Sequence, residues 1–332
     1  MRNARIVAVA RAHTLAAVLM LVAAATHAQG WKPERPLEII IGTTAGGALD
    51  RTGRTLARVM QEQKLAGQPA AVLNKPGGSS AVGLAYLAQH AGDGHYTMII
   101  GQSLLTNHIM GRSTLSHTDF TPLATLVVEA VSLSVRADSP VTSAREWIAR
   151  LRKDPLAFSV AVGTGVGGAT QASFAHAMVT AGVEVKRLRQ VTFGSGGESM
   201  TALLGGHVDG ISSPVSSVIE QLRAGRIRII ALGAPRRLSG ELADVPTWSE
   251  LGVNSAVEVW RGLAGPKGMS AAQIAFWDSL TARVVKDREW AKEIERSQAG
   301  DGYRNSAATL KHWQTEYAQM KALYTVLGLV KP

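Results

Sequence analysis

Short apolar runs alternate with amphipathic stretches along most of the chain. The apolar runs predict strands at 37–41, 70–73, 97–100, 121–128, 132–135, 158–162, 186–191, 210–212 and 227–231. Apolar residues three or four positions apart predict helices over 51–64, 80–91, 143–152, 169–181, 198–204 and 215–224. Three further helices are expected near 271–286, 288–298 and 306–326. Alternating elements with short connections are typical of an α/β fold with parallel sheets covered by helices.

The length of the chain favours two domains, because a single core rarely grows beyond roughly 250–300 residues. The alternation of elements breaks at 244–247, Asp-Val-Pro-Thr, and the chain is expected to cross between domains near residue 130. We therefore predict one lobe from 31–130 plus 248–332 and a second from 131–247. Ligands of such sheets bind beyond the carboxyl ends of the strands, which places a ligand cleft between the two lobes.

The first 28 residues have the pattern of a cleavable signal peptide. Three arginines precede the apolar run Leu15–Ala25, and the small-residue site Thr26–Ala28 stands before Gln29. The alternative is a membrane anchor, but this run is shorter than the roughly 20 residues that span a bilayer. We expect cleavage and a mature protein outside the cytoplasm, in a bacterial periplasm.

The composition limits the kinds of partner that are expected for the mature chain. The chain has no cysteine, which leaves out disulfides, thiolate chemistry and a lipid-anchored amino-terminal cysteine. The net charge is +10 for the full chain and +7 without the three arginines of residues 1–28, and the basic residues are spread out rather than clustered. We therefore expect no nucleic-acid partner, and a small acidic ligand is the better match to the charge.

A glycine-rich segment follows the first predicted strand and leads into the first predicted helix. The order of strand, turn and helix over Ile39–Asp50 would point free backbone N–H groups and two hydroxyls at an anion. The predicted ligand residues of this first loop are Thr43, Thr44, Ala45, Gly46 and Gly47. Asp50 joins the candidate set, although a carboxylate here is expected to order the helix terminus more than to contact an anion.

The same pattern recurs at Phe158–Gly168, before the helix predicted from residue 169. The candidate ligand residues of this second loop are Gly163, Thr164, Gly165, Gly167 and Gly168. The alternative is a dinucleotide fingerprint, but no acidic residue stands at the offset that would bind ribose. No cofactor is expected, and two anion-binding loops in an exported protein suggest capture of a small acid.

Other polar residues are placed near these loops by the predicted elements. Side chains and N–H groups that could line the cleft are those of Ser103, Asn107, Gln171, Ser195 and Ser212. Arg51 and Lys75 could add positive charge, although solvated surface positions are the commoner fate of such residues. Trp260 is expected to be buried in a returning strand rather than to cover a ligand.

Motifs for metal binding and catalysis are missing from the sequence. The histidines form no His-Glu-x-x-His motif, and no Gly-x-Ser-x-Gly nucleophile elbow occurs. We expect no metal site and no catalytic residues, so the protein is not predicted to be an enzyme. A triad assembled in space lacks such a local pattern, so an enzyme stays open as an alternative.

An ordered set of short blocks gives the chain a family resemblance. The blocks are Gly46–Thr52, Asn74–Gly78, Gly92–Thr97, Thr106–Asn107, Gly163–Gly167, Gly196–Glu198, Leu203–Asp209, Asp244–Thr247 and Trp260–Gly268. In this order they resemble the substrate-binding proteins of tripartite tricarboxylate transporters, the TctC or Bug family. The chain departs from the family pattern at 42–44 (Gly-Thr-Thr), Leu49, Gln171 and Thr192.

The resemblance implies a two-lobed, hinged periplasmic binding protein of a type II-like fold, expected to be monomeric. Such a protein would deliver a small di- or tricarboxylate, such as a citrate-like acid, to the large and small subunits of a membrane permease. The family's two ligand loops match 42–50 and 163–168. Two alternatives stay open: a periplasmic sensor for a membrane signalling partner, and an exported enzyme acting on a carboxylate.

Overall fold

The computed structural model describes residues 30–162, 167–193 and 196–330, apart from the side chain of Asp301. The predicted signal peptide lies outside these residues. The strands are β1 (Leu37–Ile41), β2 (Ala70–Asn74), β3 (Tyr96–Ile100), β4 (Phe120–Glu129), β5 (Val131–Arg136), β6 (Ser159–Ala161), β7 (Arg189–Val191), β8 (Gly210–Pro214), β9 (Ile227–Gly233), β10 (Val259–Pro266) and β11 (Gly300–Arg304). The helices are α1 (Ala48–Glu62), α2 (Ala81–Ala88), α3 (Ser103–Ile109), α4 (Ala144–Lys153), α5 (Ala169–Thr180), α6 (Gly196–Leu204), α7 (Ile219–Arg223), α8 (Ala271–Val284), α9 (Arg288–Arg296) and α10 (Ser306–Leu327).

Two sheets organise the described chain. The first has the strand order β11-β4-β10-β3-β1-β2, and the second has the order β7-β6-β8-β5-β9. In the first sheet β1 is parallel to β2 and β3, whereas β10 is antiparallel to β3 and β4. In the second, β6 is parallel to β7 and β8, and β5 is antiparallel to β8 and β9.

Each sheet contains parallel strands, as expected, but both sheets are mixed rather than wholly parallel. The physical reason is the path of the chain between them. It leaves the first sheet at the end of β4, passes Ala130 and immediately forms β5. It returns after β9 and enters the first sheet as β10, at the same end of the strands from which β4 left. A strand that enters from that end must run antiparallel to its neighbours.

Helices cover both faces of each sheet, as expected for an α/β fold. On one face of the first sheet, Leu56 of α1 and Trp277 of α8 join a buried cluster with the strand residues. On the other face, Leu105 of α3 packs with Trp313 of α10. The second sheet has two clusters of its own, one around Trp147 and Phe174 and one around residues of α6, β8 and α7. The carboxyl ends of β1, β3 and β4 lie at one edge of the first sheet.

Several predicted elements differ from those observed. The strand predicted at 186–191 is a 3₁₀ turn, Val185–Arg187, followed by the three-residue β7. The helix predicted over 215–224 is a 3₁₀ turn followed by the short α7, because Val218 between them has a non-helical backbone. The pattern of apolar residues does not predict α3 or β11, since α3 is nearly all buried and β11 lacks an apolar run.

Candidate functional site

The two glycine-rich segments connect a strand to a helix, one in each sheet. Helix α1 follows β1, its N-cap is Gly47, and no described side chain caps it. Helix α5 follows β6, its N-cap is Gly168, and it too lacks a side-chain cap among the described residues. The first N–H groups of a helix have no partner within the helix, and the helix dipole favours an anion there. Each sheet thus presents one helix terminus suited to a carboxylate.

The first loop is shaped by two glycines. A Cβ on the buried Gly42 would overlap the side chain of Ser80, so the chain passes closely beneath the 77–80 turn. Gly46 has a φ of +86°, a left-handed conformation that glycine adopts without strain. Thr44, Ala45 and Gly46 are exposed, and Thr43 is half-buried. This exposure leaves the backbone of the loop accessible to a ligand.

Asp50 is an organising centre for this loop. Its buried carboxylate accepts hydrogen bonds from the Gly46 N–H (2.9 Å), Arg54 Nε (2.9 Å) and Asn74 Nδ2 (2.9 Å). Burial would raise the pKa of Asp50, but these donors outweigh it and lower the pKa to about 2. The stabilisation is present above the unfolded pKa of roughly 3.9 and is lost as pH falls toward 2. The ordering role expected for Asp50 matches this geometry.

Thr43 contributes a backbone contact and a buried hydroxyl to the first loop. Its carbonyl oxygen accepts a hydrogen bond from Asn74 Nδ2 (2.9 Å). Its hydroxyl oxygen, Oγ1, is buried and has no hydrogen-bond partner among the described residues. Buried polar atoms are normally paired, so an unpaired hydroxyl in a loop at a helix N-terminus is a candidate contact for a bound ligand.

The described end of the second loop is held by three contacts. The Gly167 N–H donates to Gln171 Oε1 (2.5 Å), and the Gly167 carbonyl accepts from the hydroxyl of Tyr324 (2.7 Å). Gln171 in turn donates to Gln190 Oε1 (3.0 Å). Gln171 is therefore buried and occupied in holding the loop. Gly163, Thr164, Gly165 and Ser195 lie outside the described residues.

Three other candidates lie next to the loops, and two of them donate hydrogen bonds to backbone carbonyls. Ser103 is half-buried and opens α3 at the carboxyl end of β3. Asn107 is buried and donates to the carbonyls of Gly78 (3.3 Å) and Ser79 (2.9 Å), while its Oδ1 has no partner among the described residues. The Ser212 hydroxyl donates to the Thr170 carbonyl (3.0 Å) in the first turn of α5. Asn107 and Ser212 thus support the backbone beside the two loops.

The two basic candidates contact the protein itself. Arg51 donates to the Gly46 carbonyl (2.9 Å) and lies 3.9 Å from a Glu293 oxygen. Lys75 Nζ lies 3.8 Å from the centre of the Tyr86 ring. Trp260 is buried in β10, as expected, and its indole N–H donates to Glu316.

A cavity of about 150 Å³ lies beside Trp260. Its lining includes Glu258, Arg304, His312 and Glu316, and none of its lining residues belongs to the loops. Burial raises the pKa of Glu316 to about 7, and burial together with the nearby Arg304 charge lowers the pKa of His312 to about 4. The environment of this cavity therefore shifts both groups toward their neutral forms.

Two residues important to the loops were not assigned a role from sequence. Asn74 binds both Thr43 and Asp50, and its position at the end of β2, parallel to β1, could have placed it there. Tyr324 reaches Gly167 from a helix 157 residues away in the chain. No local pattern marks such a partner.

Two kinds of feature are absent from the described residues. Within them, no helix combines the length and the apolar character needed to cross a membrane. The same described residues contain no group of three or more acidic, histidine or cysteine side chains placed to hold a metal ion.

The arrangement of two mixed α/β sheets is that of two-lobed solute-binding proteins. The structure resembles a TctC solute-binding protein from Polaromonas, with a TM-score of 0.75 and 28% identity over 88% of this chain and 99% of that one. It also resembles MatC from Rhodopseudomonas palustris with bound malate (TM-score 0.73, 23% identity, 88% and 99% covered). Another R. palustris protein, with adipate, has a TM-score of 0.77 at 23% identity (90% and 99% covered). The two-lobed fold is thereby confirmed.

A family model described as the tripartite tricarboxylate transporter family receptor matches residues 53–329. The chain belongs to this family of solute-binding receptors. It is 27% identical over 332 residues to a UPF0065 protein of the gbd 5′ region of Cupriavidus necator, covering 97% of this chain and 98% of that protein. It is 28% identical over 290 residues to protein BugT of Bordetella pertussis, covering 83% of each.

Proposed function

We propose that this receptor captures a small di- or tricarboxylate between the first loop and the N-terminus of α5. The observation that carries the proposal is the pair of glycine N-caps, Gly47 and Gly168, each without a side-chain cap among the described residues. An acid with two carboxylates could place one at each helix terminus. Each such contact is worth about 0.3–1 kcal/mol at the surface and up to ~2 kcal/mol when partly buried.

The ligands of related folds support the same chemical class. MatC is described with malate and the second R. palustris protein with adipate, and both are dicarboxylates. Without the three arginines of residues 1–28, the net charge of +10 falls to +7, which still favours an acidic ligand over a basic one. We extend the proposal to a citrate-like tricarboxylate, whose third carboxylate would lie near the Thr43 and Thr44 hydroxyls.

Closure of two lobes is the proposed mechanism of capture. The lobes would comprise 31–130 with 248–332 and 131–247, and the crossing points near Ala130 and before β10 would act as the hinge. A ligand that contacts both loops binds the closed form more tightly, and this difference in affinity drives closure. We propose that the closed monomer delivers its ligand to the permease subunits of a tripartite tricarboxylate transporter.

Export is part of the proposal. Residues 1–28 would direct the chain to the periplasm and be removed there. Protein released by osmotic shock should then begin at or near Gln29. Recovery of the intact chain from the cytosol alone would contradict the proposed location.

A thermal-shift screen of the mature protein tests the ligand class. We expect malate, adipate or citrate to raise the melting temperature, since a ligand at 100 times its Kd adds about 2.7 kcal/mol of stability. Calorimetry should give one site per chain, and the acid should be recovered chemically unchanged. Turnover of the acid by repurified protein would instead indicate an enzyme.

Thr43→Val separates a ligand contact from a structural role. Valine keeps the shape but removes the buried hydroxyl that has no partner among the described residues. Stability without ligand should be unchanged or slightly higher, because an unsatisfied polar atom is removed. Losing a hydrogen bond to a charged carboxylate costs about 1.5–3 kcal/mol, so affinity should fall roughly ten- to hundredfold.

The control for this substitution is Thr180→Val, at the exposed end of α5. It changes the same atoms far from the loops and should leave affinity unchanged. Affinity in Thr43→Val equal to that of wild type, with the fold intact, would show that the ligand does not contact this hydroxyl.

A further inference from the structure

The last helix contacts elements of both sheets. Along most of its length α10 packs on β4 and α3 beside the first sheet. Near its end, Met320, Leu323 and Tyr324 form a buried cluster with Met110, next to the end of α3, and with Ala172 in the first turn of α5. This cluster joins the N-terminus of α5, which belongs to the second sheet, to elements that cover the first.

Within this cluster Tyr324 makes one directed contact. Its side chain is fully buried, and its hydroxyl donates to the Gly167 carbonyl at 2.7 Å. Burial and the nearby Glu316 charge raise the pKa of Tyr324 further above its ordinary value. The phenol therefore keeps its proton at any physiological pH and stays a hydrogen-bond donor.

The contact fixes the direction of a neighbouring N–H group. No cis peptide bond occurs in the described chain, so the unit between Gly167 and Gly168 is trans and planar. In a trans peptide the carbonyl and the N–H point in opposite directions. Holding the Gly167 carbonyl against α10 therefore turns the Gly168 N–H away from α10. Gly168 is the N-cap of α5, where N–H groups are available to an anion.

Gly167 is constrained from its other sides as well. Its φ of +75° is left-handed, and a Cβ here would overlap the sulfur of Met110. Its N–H is held by Gln171 (2.5 Å). Tyr324 thus supplies the contact that orients the carbonyl of an otherwise closely packed glycine.

We propose that Tyr324 is a positioning residue for carboxylate binding, acting through Gly167 to aim the Gly168 N–H at the ligand. The inference rests on the proposed function. It adds that the affinity of the site is set in part by the last helix of the chain. The tyrosine itself does not touch the ligand.

Tyr324→Phe removes the hydroxyl and keeps the ring in the cluster. A matched control lies two turns earlier on the same helix. The Tyr317 hydroxyl pairs with His108 Nδ1 (2.8 Å) on α3, and the Tyr317 ring packs against the cluster beside the first sheet and against the cluster around Tyr324. Tyr317→Phe removes the same atom from the same helix without touching the second loop.

Hydrogen exchange of the ligand-free protein is the first measurement. The amides to follow are those of Gly167 and of Ala172, which donates to the Gly168 carbonyl (3.0 Å). In Tyr324→Phe we expect their exchange to accelerate at least fivefold, with the strands of the second sheet unchanged. In Tyr317→Phe these amides should exchange as in wild type. Unchanged exchange in Tyr324→Phe, or equal changes in both variants, would overturn the proposal.

Calorimetry with adipate and with malate is the second measurement. Tyr324→Phe should weaken binding of a probe acid about three- to tenfold, and Tyr317→Phe should not. Faster exchange with full affinity would overturn the carboxylate-positioning role. If wild type binds neither acid, the proposed function fails for these acids. The exchange result then still accepts or rejects the role of Tyr324 in ordering this loop.

Discussion

Glu129→Leu is expected to destabilise the folded chain by about 3–5 kcal/mol, because it leaves a buried cation without its partner. The Glu129 carboxylate is fully buried and accepts from an Arg261 guanidinium nitrogen (2.8 Å) and from the Ser216 N–H (2.6 Å). Arg261 is also buried, and its Nε has no partner among the described residues. Removing the carboxylate would strand both donors in a low-dielectric site.

Urea unfolding at neutral pH measures this loss. The double substitution Glu129→Leu with Arg261→Met removes both charges and should recover much of the stability, as buried pairs replaced by apolar residues often do. The exposed pair of Arg223 and Glu241 (2.7 Å) is the control, and Glu241→Gln should cost less than about 1 kcal/mol. A loss below about 1 kcal/mol for Glu129→Leu would mean that Arg261 finds solvent or another partner.

The position of this pair explains why it matters to the proposed hinge. Glu129 ends β4, one residue before the chain crosses to the second sheet. Arg261 lies in β10, where the chain has returned, and Ser216 follows β8 of the second sheet. One carboxylate therefore ties together both crossings and both sheets. A pivot fixed in this way would let the loops approach one another while the crossing strands keep their register.

Hydrophobic periodicity was sufficient to predict most elements, because each buried strand or helix face carries its own apolar pattern. The strands β1 and β9 and the amphipathic helix α1 follow this rule. Strand direction was not predictable from periodicity, since a parallel and an antiparallel strand can bury the same residues. β11 escaped prediction because its sequence, Gly-Asp-Gly-Tyr-Arg, has no apolar run and pairs only at a sheet edge.

The candidate loops could be predicted because strand, glycine turn and helix are adjacent in sequence. The contacts that hold the loops in place are less predictable from sequence. The contact of Asp50 with Arg54 follows from helical spacing, whereas its contact with Asn74 depends on the pairing of β1 with β2. Tyr324 and Gly167 meet only in the folded tertiary structure. A contact of this kind depends on tertiary packing, and no local sequence pattern marks it.

Gly167→Ala is the second substitution with a large expected effect. The φ of +75° strains any residue with a Cβ, at about 1–2 kcal/mol. The new methyl would also displace the Met110 side chain, which is buried in the cluster around Tyr324. Overpacking of this kind costs about 1–3 kcal/mol, although a flexible methionine limits the penalty. The total expected loss is about 2–4 kcal/mol in urea unfolding.

Gly182→Ala, just beyond the other end of α5, separates the cost of backbone strain from the cost of overlap with Met110. Gly182 has a φ of +72°, and no described atom lies within 4 Å of the Cβ it would gain. The Gly182→Ala variant should lose only the stability that backbone strain costs, about 1–2 kcal/mol. Met110→Ala combined with Gly167→Ala should relieve the overlap, so the double variant should lose less than the sum of the single losses. Equal losses at Gly167 and Gly182 would mean that the second loop moves freely away from Met110. The positioning role of Tyr324 requires a fixed Gly167 carbonyl. Gly167→Ala should therefore lose more stability than Gly182→Ala.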